Sequence, residues 1–507
     1  MNQAKNAAIA LAPERLLGIK RGVEKESVRS LPDGGLAMTP HPNGLGSALT
    51  HPHITTDFSE SQVELITGVH AGVQECLDQL QQVQTFTDSQ LGDEMLWASS
   101  MPTCLPEDDA IPLGQYGSSN VGRTKTIYRM GLGYRYGRRM QTISGIHYNW
   151  SLPGVSSEQY FGLIRNFRRH AFLPLFLFGA SPAVCGSFVA GREHKLQALS
   201  EQTMHLPYAT SLRMGRLGYQ SDAQASLAVS YNSLEGYGAS LQDALTRPYP
   251  GYEAIGVRGP DGNYRQLATS LLQIENEFYG TIRPKRVIRA GERPLHALRE
   301  RGVEYVEVRL MDLDPFEPVG INAQTVRWLD VFLLHCLQTN SPPDTPAEIA
   351  ALARNQHKTA ERGREPGLQL ERGDAQVILV EWAAQLLDEM LPFAAALDAA
   401  HGGADYTTAI HAAQHSVLAP DTLPSARVLR AVQEEYKGSF VDFVRAQSAA
   451  IQRAMRHAPL DVQQAAHHRQ LAQISRDEQR HIEQSDSFVF DDYLKEYLSP
   501  ARLVLKR

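Results

Sequence analysis

The sequence predicts an α+β protein, with an α+β body over residues 1–335 and a mainly helical region over residues 336–507 that packs on it. Three observations predict this. Between residues 18 and 330, segments of alternating polar and apolar residues recur between Gly/Pro/Asn turns such as PDGG (32–35) and HPNGLG (41–46). The string TNSPPDTP at Thr339–Pro346 has turn and linker composition. Beyond it, residues 376–398 and 426–497 are rich in Ala, Gln, Glu, Leu and Arg at helical spacing.

Composition sets the class. In 507 residues, 42% are hydrophobic and 21% charged, which fits a globular chain and excludes a collagen-like or wholly disordered one. Lys+Arg number 49 and Asp+Glu 56, a net charge of −7, which argues against nucleic acid as the main partner. Cys76, Cys104, Cys185 and Cys336 form no CxxC pair, so a reducing cytoplasm is expected. Met1–Leu17 has no basic region followed by a long apolar run, so no signal peptide is expected. Ala171–Gly191 carries no charge over 21 residues, long enough for a bilayer, but Pro174, Gly179, Pro182 and Gly186 interrupt it. A buried helix end followed by a tight loop is therefore expected, with no membrane partner.

Taken in order, residues 1–17 read as a short helix. Gly18–Ser30 (GIKRGVEKESVRS) reads as a strand with Glu24 and Glu26 on one face and Lys25 on the other. Along a strand those two carboxylates stand roughly 6.5–7 Å apart and repel unless cations lie between them. A solvated edge strand would look the same. Thr55–Thr67 reads as an acidic turn before an apolar strand, with Asp57 and Glu64 of interest and Glu60 expected at the surface. A Gly/Arg-rich stretch follows, in which Gly131, Gly133 and Gly137 miss the dinucleotide-binding spacing. In Met140–Pro153 (MQTISGIHYNWSLP), alternation places Gln141, Ile143, Gly145, His147, Asn149 and Ser151 on one face, a composition suited to a pocket floor. Leu271–Tyr279 also reads as a strand, aligning Gln273, Glu275, Glu277 and Tyr279, and runs into the basic Arg283–Arg289. That run, with Lys285 and Arg286, either steers a triphosphate or is a solvated loop. In Arg301–Leu310 (RGVEYVEVRL), Glu307 and Arg309 share a face as a plain ion pair or as a metal ligand beside an oxyanion-binding guanidinium. Ser425 is placed to cap a helix beginning at Ala426.

Collected together, Glu24, Glu26, Asp57, Glu64, His147 and Glu307 form a hard-metal ligand set. Mg²⁺ prefers carboxylate oxygen and bridges to phosphates, whereas no close His/Cys cluster favours zinc. The sequence has no G-x-x-x-x-G-K-[ST] and no G-x-S-x-G.

These residues sit in blocks that resemble one family. RGVEKES, SALTHPHITTDFSESQVELIT, QYGSSNVGR, TISGIHYNWSLP, FGASPAVC, LPYATSLRMGRLGY, QIENEFYGTIRPKR and EYVEVRLMDLDPF occur in the order they take in the proteobacterial type of glutamate–cysteine ligase, and cover about residues 18–320. The final third is similar mainly in GREPGLQL and PSARVLR. Lys25 stands where the family has Arg and Trp150 where it has Phe, both on faces expected to point away from ligands.

The resemblance implies a glutamine synthetase-like core, a curved antiparallel β-sheet funnel surrounded by helices. It implies joining of the γ-carboxyl of L-glutamate to the amine of L-cysteine through γ-glutamyl phosphate, with ATP as co-substrate. Mg²⁺, or Mn²⁺ in its place, would be the metal, held by Glu24, Glu26, Asp57, Glu64, His147 and Glu307. Arg309 takes the position facing the glutamate and phosphoryl group, beside Glu307 in the catalytic pair. Arg213, Tyr219 and Tyr279 resemble positions that hold the backbone groups of cysteine, and Phe58, Tyr128, Leu132 and Gln141 line its side-chain pocket. The resemblance includes no second ligase module, and a monomer or weak homo-oligomer is expected. Rival readings are a carboxylate–amine ligase with another acceptor and a non-catalytic nucleotide-binding relative.

Overall fold

The computed structural model describes residues 11–218, 223, 227, 229–289 and 291–504. Helix α1 (Pro13–Leu17) is the described part of the expected N-terminal helix; the rest of that segment lies outside the described residues. The chain then lays down β1 (Lys20–Ser30), β2 (Ile54–Thr56), β3 (Gln62–Ile66), α2 (Val73–Gln90), β4 (Met95–Leu96), α3 (Asn120–Tyr136) and β5 (Ile146–Ser151). Next come α4 (Ser157–His170) and α5 (Phe172–Phe178), then β6 (Ala183–Cys185), β7 (Gln197–Ala198) and β8 (Thr203–His205). Helices α6 (Leu234–Thr246) and α7 (Pro250–Ile255) precede β9 (Ile282–Lys285), α8 (Pro294–Arg301), β10 (Tyr305–Met311) and α9 (Ala323–Gln338). After the linker come α10 (Pro346–Arg362), the hairpin β11 (Gln369–Arg372) and β12 (Ala375–Ile378), and α11 (Leu379–His401). Five helices complete the described chain: α12 (Asp405–Leu418), α13 (Pro424–Arg430), α14 (Phe440–His457), α15 (Val462–Ser485) and α16 (Phe490–Tyr497).

The main sheet runs β2-β3-β1-β5-β10-β9, every pairing antiparallel, with β4 added at the end of β1. Its back face carries Val23, Leu65, Ile146, Tyr148, Trp150, Val306 and Val308, all buried in one hydrophobic core. Helices α2, α4, α5 and α9 pack against the sheet or one another behind it. Burial of this period-2 apolar set on one face fixes the register, since a slip by one residue would turn it into the cavity. Arg21 and Tyr148 share Asp330 of α9 in the core, at 2.9 and 2.6 Å, so the buried charge is paired on both sides.

Ala171–Gly191 folds as expected, into α5, a loop and β6, and no helix among the described residues is long and apolar enough to cross a membrane. Helix α4 starts at a capping box formed by Ser156 and Gln159. Three expectations are corrected. Leu271–Tyr279 is not a strand; it carries one 3₁₀ turn, Glu275–Glu277. Glu275 bonds Arg293 and Glu277 bonds Arg135, Tyr136 and the Gln273 amide, so the carboxylates are satisfied inside the fold in place of alternating. Glu60 is buried, accepting from the His41 and Gln115 amides. Ser425 lies within α13, which starts at Pro424 with Leu423 at the cap; the fixed φ of proline sets the helix start.

Candidate active site

The register of the sheet draws the acidic residues and their partners into one line across five strands. Glu26 pairs with Glu64 between β1 and β3, Glu24 with His147 between β1 and β5, Glu307 with Asn149 between β10 and β5, and Glu307 with Arg283 between β10 and β9. All face away from the core, and all but Asn149 line a cavity of about 410 Å³. Its lining also includes Asp57, Phe58, Tyr128, Leu132, Gln141, Tyr279, Lys285 and Arg309.

At the centre, His147 Nδ1 lies 3.2 Å from Glu24 Oε2, and its Nε2 lies 3.4 Å from Glu26 Oε1. Asn149 donates to the other Glu24 oxygen at 2.9 Å, and the Gly145 amide donates to Glu26 at 2.7 Å. On the β9 side, Lys285 Nζ is 3.0 Å from Glu307 Oε1 and Arg309 is 3.1 Å from Glu307 Oε2. The β10 register shifts between Val308 and Met311, where Arg309 sits, and such bulges re-aim side chains at site edges.

The carboxylates divide into two electrostatic groups. Burial and the charges of Glu24, Asp57 and Glu26 push Glu64 well above the usual carboxylate range. Burial raises Glu26 as well, against the pull of His147. Burial opposes ionisation of Glu307, but Lys285, Arg309 and His147 overcome it and hold this carboxyl well below its ordinary value. Glu24 is also lowered, burial again being outweighed, here by hydrogen bonding to His147. The cavity thus has a proton-retaining acidic side and a cation-clamped carboxylate.

The expected acceptor-site residues fall on two recesses. Phe58, Tyr128, Leu132, Gln141 and Tyr279 line the main cavity, with Gln141 Nε2 donating to Tyr279 Oη at 3.0 Å. Arg213, buried, lines a smaller recess of about 60 Å³ that shares Tyr279 and Arg309 with the main one. Its guanidinium donates to the Arg309 carbonyl at 2.7 Å. A Cβ on Gly145 would stand 2.0 Å from Arg213 Nη2, so this glycine makes room for the arginine. Tyr219 lies outside the described residues.

Arg286 is a correction. It bonds the Gly302 carbonyl at 2.5 Å and approaches Glu304, away from the cavity lining. On a strand, residues two apart share a face, so Arg283 joins Lys285 at the cavity and Arg286 falls opposite. The sequence reading also missed Lys125 and Arg129 on α3 and Tyr493 and Tyr497 on α16, all on the lining. Each pair is spaced four apart, one face of a helix, which is the signal that could have found them.

The comparisons agree with this geometry. The glutamate–cysteine ligase family model matches residues 8–359. The chain belongs to the glutamate–cysteine ligase family. Relatives of that name from Alcanivorax borkumensis and Saccharophagus degradans are each 46% identical, covering 96% and 97% of this chain and 97% and 96% of theirs. A solved glutamate–cysteine ligase from Francisella tularensis, in complex with AMP, superposes at a TM-score of 0.90 with 35% identity, covering 95% of this chain and 97% of that one. A bifunctional glutathione synthetase from Pasteurella multocida, at 23% identity and a TM-score of 0.68, shares the fold. This ligase therefore has the glutamine synthetase-like architecture expected of it.

Proposed function

We propose that this ligase activates the γ-carboxyl of L-glutamate with ATP and joins it to the amine of L-cysteine, giving γ-glutamylcysteine, ADP and phosphate, the first step of glutathione biosynthesis. The observation that carries the reading is the cross-strand line of Glu64, Glu26, Glu24, His147 and Glu307 ending on Arg283, Lys285 and Arg309. A carboxylate is a poor electrophile. Its oxygen attacks the γ-phosphorus of ATP, ADP leaves, and γ-glutamyl phosphate forms. The cysteine nitrogen then attacks the acyl carbon and phosphate leaves.

Arg309, Arg283 and Lys285 stabilise oxyanion charge during both steps. Lys285 and Arg309 side chains are 27% and 21% exposed, so they can meet substrate oxygens without leaving Glu307. The donor set fits a hard divalent cation: Glu24, Glu64 and His147 offer ligand atoms all within 4.8 Å of one another, on half-buried carboxylates that repel. Glu24, Glu26, Asp57, Glu64, His147 and Glu307 would hold Mg²⁺, which when bound neutralises charge on the transferring phosphoryl group. Arg213, Tyr279 and Tyr219 hold the amino-acid end of cysteine, and Phe58, Tyr128, Leu132 and Gln141 enclose its side chain. An apolar pocket separates SH from CH₃ by only about 1–3 kcal/mol, so α-aminobutyrate is a slower acceptor. Tyr493 and Tyr497, with ring centroids 6.1 Å apart and nearly parallel, give the nucleotide base an aromatic wall.

The test is ADP release from ATP, Mg²⁺ and L-glutamate with and without L-cysteine. Cysteine-dependent release with equal loss of free amine supports the reading. Release indifferent to cysteine assigns another acceptor. Glu307→Gln with wild-type turnover would remove Glu307 from the metal and catalytic assignments.

A further inference from the structure

A second group of metal-ligating side chains lies behind the sheet, away from the catalytic cavity. His170 ends α4, His335 and Cys336 lie near the end of α9, and one ligand atom from each falls within 4.8 Å of the others. His335 is 1% exposed and Cys336 0%. Both ring nitrogens of His335 and Nδ1 of His170 are buried with no hydrogen-bond partner among the described residues. Glu389 of α11 places Oε2 3.5 Å from His335 Nε2, at the outer limit of a hydrogen bond. Leaving buried polar atoms unpaired costs about 1–3 kcal/mol each, and the two that remain, Nδ1 of His335 and Nδ1 of His170 on two facing imidazoles, call for a common partner. The rings stand 5.9 Å apart between centroids, with Trp382 and Phe393 edge-on around them.

We propose that His170, His335, Cys336 and Glu389 form a structural site for a divalent cation of the zinc class. Two imidazoles, a thiolate and a carboxylate are a tetrahedral zinc set, and poor ligands for Mg²⁺. Ligand atoms around tetrahedral zinc stand about 3.3–3.6 Å apart, so side-chain shifts of about 1 Å bring His170, His335 and Cys336 to that spacing, and Glu389, 3.5 Å from His335, completes the set by turning its side chain inward. Four protein ligands, two of them the fully buried His335 and Cys336, fill a tetrahedral shell, which makes the ion a staple. It ties α4 and α9, which back the catalytic sheet, to α11 beyond the linker.

The experiment uses the full-length enzyme stripped of metal and titrated with Co²⁺. One equivalent producing thiolate-to-cobalt charge-transfer absorption and tetrahedral d–d bands is expected. Cys336→Ser should lose the charge-transfer band and His335→Ala should weaken Zn²⁺ binding at least about tenfold. Glu24→Gln should keep the band, and Zn²⁺ should raise the thermal midpoint of wild type but not of Cys336→Ser. Where His335→Ala does not fold, Cys336→Ser alone decides. Absence of the charge-transfer band, or a bound ion that survives Cys336→Ser and disappears in Glu24→Gln, overturns the proposal.

Discussion

Glu64→Gln should make the metal-free enzyme more stable and the metal-loaded enzyme nearly inactive. Ligand atoms of Glu24 and Glu64 lie within 4.8 Å, and two unit charges at that distance repel by about 3.5 kcal/mol at an effective dielectric of about 20. Ordinary salt and the partial exposure of Glu24 reduce this to about 2 kcal/mol. The neutral amide keeps the shape of the carboxyl and removes the repulsion. In EDTA at pH 8.5 the thermal midpoint should rise by about 2 °C. The pH dependence follows from the raised Glu64 value. In the folded chain this acid holds its proton to higher pH than it does unfolded, so wild-type stability falls as pH rises through the folded value. The advantage of the variant should therefore be small near pH 5 and widen toward pH 8.5. Mg²⁺ should raise the wild-type midpoint and move the variant much less, because a ligand is lost. The assay is a thermal scan at fixed rate across pH, with and without Mg²⁺, alongside cysteine-dependent ADP release. A variant no more stable than wild type in EDTA, with an undiminished Mg²⁺ shift, would refute both the repulsion and the ligand assignment.

The cationic wing separates by strand face: Lys285→Met should lower kcat at least about tenfold through loss of a charge-assisted partner of Glu307, whereas Arg286→Ala should stay within about twofold, measured by steady-state ADP release. Gly145→Ala drives a methyl into the Arg213 guanidinium and should raise KM for cysteine about 10–100-fold, the loss of one charged hydrogen bond, with KM for ATP little changed. Equal rises for cysteine and ATP would show that Arg213 is not dedicated to the acceptor. Tyr497→Ala should raise KM for ATP several-fold through lost base stacking and leave KM for glutamate alone; the reverse order would move the nucleotide base elsewhere.

Much of the site was legible because strands carry a strict period of two. Glu24 with Glu26, His147 with Asn149, and Glu307 with Arg309 were grouped on shared faces, and the structure joins those faces edge to edge. Lys25 and Trp150 point away from the ligands, Lys25 donating to Gln84 at 2.6 Å and Trp150 packing in the core. Gln141 reaches the cavity from a 3₁₀ turn and not from the strand expected of it. What could not be read is non-local. Glu275 and Glu277 alternate like strand residues, but cations from distant segments draw them inward. The bulge at Arg309 depends on its pairing with β5, and the buried Glu60 on amides from two other loops. Cys104 and Cys185, 81 positions apart, meet with sulfurs 3.0 Å apart, a contact no spacing rule contains. Tyr493 and Tyr497 were hidden because α16 returns to the core through Phe490 and Leu494, which pack with Ile127 and Leu267.

Charge balance explains why the cavity needs both wings. Among the described residues its lining carries seven carboxylates, of which Glu275 and Glu292 are paired with Arg293 and Arg301 outside it, leaving Glu24, Glu26, Asp57, Glu64 and Glu307 against Lys125, Arg129, Arg283, Lys285 and Arg309. The balance is local as well as total. Lys285, Arg309 and Arg283 cluster on Glu307, which they hold ionised, while Glu64 is repelled by Glu24, Asp57 and Glu26. ATP and glutamate bring further negative charge into a space of about 410 Å³. Lys285 and Arg309 can meet that charge on the β9 side. On the β3 side Lys125 senses Glu64 and Arg129 bonds the Asp57 carbonyl, yet Glu64 still stands well above the ordinary carboxylate range, so a cation brought from solvent would remove the repulsion left among the carboxylates. Metal binding and substrate binding should therefore be cooperative, with each raising the affinity for the other by the same factor. Titrating Mg²⁺ at several fixed ATP concentrations measures that factor. A factor of one would mean that the acidic side holds its ion independently of substrate, and the division of labour between the two wings would fail.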